Sequence, residues 1–209
     1  MVSAKEKIIS YLRAAYAPLA ILTYGSYGDG SQNEHSDFDA LVISPDREPF
    51  HDGSFVEGVQ LDVFVYPREY FEKEINCGDF VQLFDSEIVL DTDGCGLALR
   101  QRVVDYLEHQ PPKSYAQLQS DTAWCRKMAL RAERQDAEGL FRWHWVLIDS
   151  LEIFCNILHT PYRGPKKSLR WMREHHPEAY DCYWKALSSP DLAALHSWID
   201  CLEAHLTAE

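Results

Sequence analysis

The sequence predicts an α+β chain of two domains: residues 1–110 built on a small mixed sheet, and residues 111–209 as an α-helical bundle. Three observations carry this. Up to residue 110 the apolar residues fall in short alternating or β-rich runs broken by Gly, Pro and Asp, and beyond it they recur at helical spacing in long stretches rich in Leu, Ala and Trp. The charge changes at the same place: residues 1–110 hold 20 Asp and Glu against 8 Lys and Arg, a net of −12, and residues 111–209 hold 13 against 12, a net of −1. Between them stands Pro111-Pro112, a pair that cannot continue a helix.

In the first half, Ser3 with Glu6 three residues on opens a helix through Ala15, with Ile8, Ile9, Leu12 and Ala15 on one apolar face, and Pro18 stops it. Leu19 to Thr23 is a short strand that runs into Gly25-Ser26. Phe38 to Ile43 is a second strand and Val59 to Tyr66 a third, with clean alternation up to Pro67. Residues 68–84 read as helical, Glu87 to Leu90 as a fourth strand, and Gly96 to Glu108 as a helix leading out. In the second half, Tyr115 to Glu138 and Leu140 to His159 are long helices parted by Gly139. Shorter ones follow over Lys167 to His175, Glu178 to Leu187 and Leu192 to Leu206, with Pro161, Pro177 and Pro190 as punctuation.

With 46% hydrophobic and 25% charged residues, the 209-residue chain has the composition of a folded globule. A formal net charge of −13 argues against a broad basic surface for nucleic acid or an anionic membrane. The apolar runs are too short for a membrane span, and Met1 to Ser10 lacks a signal-peptide core, so the expectation is a soluble, cytoplasmic protein. The six cysteines, widely scattered and without C-x-x-C or zinc spacing, are expected to be reduced and mostly buried, and His175-His176 to lie on the surface.

The chemistry is concentrated in residues 24–39. Asp37 and Asp39, at i and i+2 on a strand, send both carboxylates from one face of the sheet, where they repel each other unless a counter-charge intervenes. A divalent cation is the common remedy, and Mg²⁺ suits hard oxygen ligands. Asp62 interrupts the apolar run Val59 to Val65; if its strand neighbours the second, it completes a three-carboxylate cluster for two metal ions, an arrangement used in phosphoryl and nucleotidyl transfer. Gly25 lets backbone N–H groups approach a phosphate, and the Ser26 hydroxyl adds a donor.

This ordered set, a strand, Gly25-Ser26, Asp37-x-Asp39 and an isolated strand Asp62, resembles the nucleotidyltransferase superfamily with the polymerase-β-type fold over roughly residues 15–70. The resemblance implies that Gly25 and Ser26 contact a nucleoside triphosphate, that Asp37 and Asp39 bind two Mg²⁺ ions, and that Asp62 is the third ligand and a base. The helical half, with Pro161-Tyr162 and Lys166-Lys167 ahead of Leu169-Trp171, resembles the C-terminal bundle of antibiotic nucleotidyltransferases that modify aminoglycosides or lincosamides.

Positive charge for a triphosphate comes from Arg163, Lys166, Lys167, Arg170 and Arg173, with Lys167 as the expected nucleotide contact and a solvated helix face as the alternative. Arg126, Lys127, Arg131 and Arg134 are expected to pair with surface acids. Asp149, Glu152 and Asn156 share a stripe of an otherwise apolar helix, where Glu152 or Asp149 would accept a proton or hold a cationic substrate; a solvent-facing stripe is the plainer reading. Trp143, Trp145, Phe141 and Phe154 on that helix are expected in the core. Asp85 and Glu87 are further acid candidates.

The expected reaction is Mg²⁺-dependent transfer of AMP from ATP to a small-molecule hydroxyl, that of a cationic aminoglycoside-type antibiotic, with release of pyrophosphate. Residues 1–110 would be the catalytic domain, residues 111–209 would bind substrate and nucleotide, and no nucleic acid or membrane partner is expected. Two alternatives stand: transfer to a protein, as in the minimal nucleotidyltransferase antitoxins, and a helical ribonuclease, since Arg170 and His175 match the loose R-x4-H of such toxins. Against the second, Trp171 replaces their usual polar residue and the chain is acidic.

Overall fold

A computed structural model describes residues 2–134 and 136–207. The chain divides into two compact units between Gln110 and Pro111. The architecture is α+β, as the sequence predicts, with a mixed sheet in the first unit and helices in the second.

In the first unit, α1 (Ala4–Tyr16) opens at a capping box: the Ser3 hydroxyl accepts from the Glu6 N–H, and the Glu6 carboxylate accepts from the Ser3 N–H at 2.7 Å. The helix buries Ile8, Leu12 and Tyr16 and ends at Ala17, whose left-handed conformation turns the chain before Pro18. Then come β1 (Ala20–Thr23), a one-turn helix α2 (Gly25–Asp29), β2 (Phe38–Ser44), the short β3 (Phe50–Asp52) and β4 (Phe55–Val56), and β5 (Val59–Pro67). After α3 (Arg68–Glu72) and a 3₁₀ segment (Cys77–Leu83), β6 (Glu87–Asp91) leads to α4 (Cys95–Glu108).

The strands lie in the order β3-β5-β2-β1-β6, with β4 also paired to β5. β2 and β5 run parallel; the other pairs are antiparallel. Alternation along β2 and β5 gives the sheet two covered faces. Phe38, Ala40, Val42, Leu61, Val63 and Val65 pack with α1 on one side. Leu41, Ile43 and Leu22 pack with Phe71, Phe80, Leu99 and Val103 on the other.

Three local features depart from the elements expected. Residues 27–36, which join the first two expected strands, begin inside α2, which closes when the Gly30 N–H reaches the Ser26 carbonyl. β3 and β4, absent from the expected elements, are too short to show a period, and pairing with β5 makes them strands. Residues 68–84 are not one helix: the chain turns extended at Lys73, and the Asn76 side chain accepts from the Gly78 N–H at 3.1 Å to start a separate turn.

The second unit stacks α5 (Tyr115–Ala132), α6 (Ala137–Ile157), α7 (Pro165–His175), α8 (Pro177–Ser188) and α9 (Leu192–Thr207). α5 stops short of Glu138, and Gly139, expected as the break, lies within α6, whose N-cap is Asp136. A Cβ at Gly139 would sit 2.9 Å from the Ala132 carbonyl oxygen, so its absence lets the first turn of α6 pack onto the last turn of α5. The core gathers Trp143, Leu147, Leu151, Phe154, Trp198 and Leu202. Inside it the Trp198 indole N–H donates to the Ser150 hydroxyl at 2.8 Å, and the Tyr183 hydroxyl donates to the Leu147 carbonyl.

Phe141 and Trp145, expected in this core, are exposed. At 100° per residue Trp143, Leu147, Ser150 and Phe154 define the inward stripe, leaving Phe141, Trp145 and Ile148 outward. Of the cysteines, Cys125 and Cys155 are buried and the other four are half-buried free thiols, fewer in the core than expected. Among the described residues no helix is long and apolar enough to cross a membrane.

Candidate active site

Parallel pairing of β2 and β5 sets Asp39 directly opposite Asp62. Asp37, one residue before β2, joins them: each of the three carboxylates offers an oxygen, and these atoms lie within 4.8 Å of one another. Asp39 and Asp62 alternate with the core residues of the α1 side, so they stand on the opposite face. Three anions this close repel one another, and an all-oxygen donor set of this kind fits a hard divalent cation such as Mg²⁺.

Gly25 is tied to this cluster by space as well as by backbone angle. Its φ is 61°, and a Cβ built on it would fall 2.1 Å from Asp39 Oδ2. Only glycine therefore allows the β1–α2 corner to close against the Asp39 carboxylate. The corner is pinned from the other side, where the Tyr24 N–H donates to the Asp39 carbonyl at 3.2 Å. Ser26 follows in the first turn of α2, half-buried, with its carbonyl taken by the Ser31 N–H. The Tyr24 hydroxyl is held well above its ordinary pKa, first by burial and then by the negative charges of Asp62 and Asp39, so it stays protonated beside them.

His51, on β3, was not singled out by sequence reasoning. Its Nε2 lies 2.6 Å from Asp62 Oδ1, and its ring stacks on Phe64. A histidine in a three-residue polar strand carries no pattern of its own; the β3–β5 register alone reveals it. Tyr24 likewise has no sequence signal of its own, because its place beside Asp39 comes from the β1–β2 pairing.

A second acidic group, Asp91, Asp93 and Cys95, is engaged at the start of α4. Both Asp91 oxygens accept from the Gly96 and Leu97 N–H groups at the start of α4. Asp93 accepts from the Cys95 N–H and from Arg68. The Cys95 thiol is pushed up to about 12, by burial first and then by Asp93.

The remaining sequence-predicted residues lie in the second unit or elsewhere in the first. Glu152 is exposed on α6, and its charge, after burial, raises the Tyr162 hydroxyl. Asp149 shares the helix and adds its charge to the burial that pushes the Cys125 thiol up to about 12. Asn156, half-buried, has an Nδ2 without a hydrogen-bond partner among the described residues. Lys166 and Lys167 lie in the first turn of α7 and both take part in polar contacts. Arg126 binds Glu203 and Asp200, and Arg134 binds Asp136 and Glu138, as surface pairs. Glu87 pairs with Lys5, and the exposed His175 faces the Trp171 carbonyl at 3.0 Å.

Residues 5–91 match a family model described as "Nucleotidyltransferase domain", a span that contains Gly25, Ser26, Asp37, Asp39 and Asp62. Among solved structures the chain is similar to a nucleotidyltransferase-like protein from Exiguobacterium sibiricum 255-15, at 15% identity and a TM-score of 0.45, over 98% of this chain and 74% of that one. It is also similar to a toxin-antitoxin structure with AMP-PNP, at 18% identity and a TM-score of 0.33, over 50% of this chain and 87% of that one. No curated protein matches it.

Proposed function

Starting from residues 5–91 as a nucleotidyltransferase domain, which makes the chain a transferase, we propose that it moves AMP from ATP to a hydroxyl of a small cationic acceptor of the aminoglycoside type. Nucleotidyltransferase domains act on nucleoside triphosphates with divalent metal. The observation that carries the reading is the convergence of Asp37, Asp39 and Asp62 within 4.8 Å beside a glycine corner. Those three carboxylates would hold Mg²⁺, which when bound neutralises phosphate charge and lowers the pKa of the attacking hydroxyl.

The chain's own residues do the rest. The backbone at Gly25 and the Ser26 hydroxyl meet phosphate oxygens. The acceptor oxygen attacks the α-phosphorus while the bond to the β-phosphate oxygen breaks, and pyrophosphate leaves with the bonding pair. The hydroxyl proton passes to the Asp62 carboxylate. An excess of 12 negative charges in residues 1–110 supports a cationic acceptor, which such a field attracts.

The test is pyrophosphate release from each NTP with Mg²⁺, with and without aminoglycosides and lincosamides, with mass spectrometry of candidate protein partners in parallel. Release that depends on an aminoglycoside and vanishes in Asp39→Asn is the expected result. If no NTP supports pyrophosphate release with any aminoglycoside or lincosamide, the proposal fails, and AMP found on a protein instead redirects it.

A further inference from the structure

The geometry points to His51 as a positioning residue: it holds one oxygen of the Asp62 carboxylate so that the other is presented to the cluster formed with Asp37 and Asp39. This rests on the reading of those three carboxylates as the metal-binding set.

Register creates the arrangement. β3 runs antiparallel to β5 with His51 opposite Phe64, which places Asp62 on the same face at the diagonal position, within reach of a long side chain. The imidazole lies against the Phe64 ring at a centroid distance of 4.6 Å and an interplanar angle of 29°. From that platform Nε2 reaches Asp62 Oδ1 at 2.6 Å. A carboxylate oxygen only accepts, so the hydrogen sits on Nε2.

The strand that carries His51 is itself fastened on both sides. Phe50 packs edge-on against Tyr16 of α1 at 5.4 Å. The Asp52 carboxylate accepts from the Tyr16 hydroxyl and from the Ser54 N–H. An edge strand of three residues has few ladder bonds of its own, so these side-chain ties to α1 fix where His51 stands. Its target is chosen as well. Asp62 faces Asp39 across the β2–β5 pair, and an aspartate free to rotate about its terminal torsion would turn away from a like charge. A donor on Oδ1 removes that freedom. Partners of this kind, which orient a ligand without touching the metal, commonly change metal affinity by about 10–100-fold when removed.

The experiment measures Mn²⁺ binding, by the electron paramagnetic resonance signal of free Mn²⁺, in the presence of α,β-methylene-ATP, which cannot transfer its nucleotidyl group. His51→Phe keeps a ring on Phe64 without a donor, and His51→Gln places an N–H close to Nε2. Expected is a loss of about tenfold or more in Mn²⁺ affinity for His51→Phe, with His51→Gln within about threefold of wild type. Should His51→Phe not fold, His51→Leu, the apolar counterpart of glutamine, makes the same comparison. In turnover the deficit is expected in kcat, with KM for the acceptor unchanged. Equal affinities in wild type, His51→Phe and His51→Gln overturn the role of His51, and so does an equal loss in both variants, which assigns the effect to packing. Asp39→Asn separates the levels: if it binds Mn²⁺ as tightly as wild type, or if wild type binds none, the metal-site reading falls and His51's role with it.

Discussion

Three acidic side chains converge on one another in the first unit, whereas in the second pairs of acids gather around an arginine. Asp37, Asp39 and Asp62 are drawn within 4.8 Å by two neighbouring strands and the corner before one of them. In the helical unit Glu203 and Asp200 share Arg126, and Asp136 and Glu138 share Arg134. The difference follows from backbone geometry. A parallel strand pair fixes two side chains side by side on one face regardless of their charge, whereas exposed helix residues can find partners three or four positions away or on the next helix. Charge held together by a sheet is available for chemistry; charge neutralised along a helix surface contributes little beyond solubility.

Asp39→Asn attacks the contrast most directly. Transfer is expected to fall by at least about 10²-fold while the melting temperature holds or rises, because one of three mutually repelling anions is gone. A stable variant with full activity would remove the distinction between the units. Gly25→Ala couples fold and site. The added Cβ must displace the Asp39 carboxylate and sit at positive φ, for an expected loss of about 2–4 kcal/mol by denaturant titration together with lost transfer. In the second unit Ser150→Ala leaves the Trp198 N–H buried without its acceptor; about 1–3 kcal/mol of stability is expected to go with transfer per folded molecule unchanged. If kcat falls in step with stability, the core of the second unit is not separable from the chemistry.

The smallest effect tests charge used for structure alone. Asp136, the N-cap of α6, is held below its ordinary value by the Gly139 N–H and by Arg134. A depressed carboxylate stabilises the fold above its unfolded pKa of about 3.9, and that stability is lost as pH falls through the folded value. Asp136→Asn keeps a capping oxygen but does not titrate. The melting-temperature advantage of wild type over this variant should therefore shrink between pH 6 and pH 3; a constant difference would show that the carboxylate's charge contributes nothing.

Much of the first unit was legible because its signals are local. Ser3 with Glu6 announces α1, strict alternation announces β5, and Asp37-x-Asp39 with Asp62 stands out because acids interrupt strands otherwise committed to the core. What escaped depends on pairing. His51 has meaning only through β3 lying on β5, and the 68–84 segment breaks where Asn76 caps a new turn, a choice helical periodicity does not register. In α6 the trouble was abundance: Phe141 and Trp145 are as apolar as Trp143 and Phe154, so the inward stripe is defined only by the helices packed against it.

The two-residue turn joining β4 to β5, Glu57-Gly58, has both residues at positive φ and fixes the alignment of the hairpin. Side chains alternate every residue, so a slip of β5 by a single position would exchange Asp62 for Leu61 or Val63 opposite Asp39 and send the carboxylate through to the α1 side. An insertion of one residue between Val59 and Leu61 would thus be far more damaging than several added between Ser44 and Phe50, where no strand is interrupted.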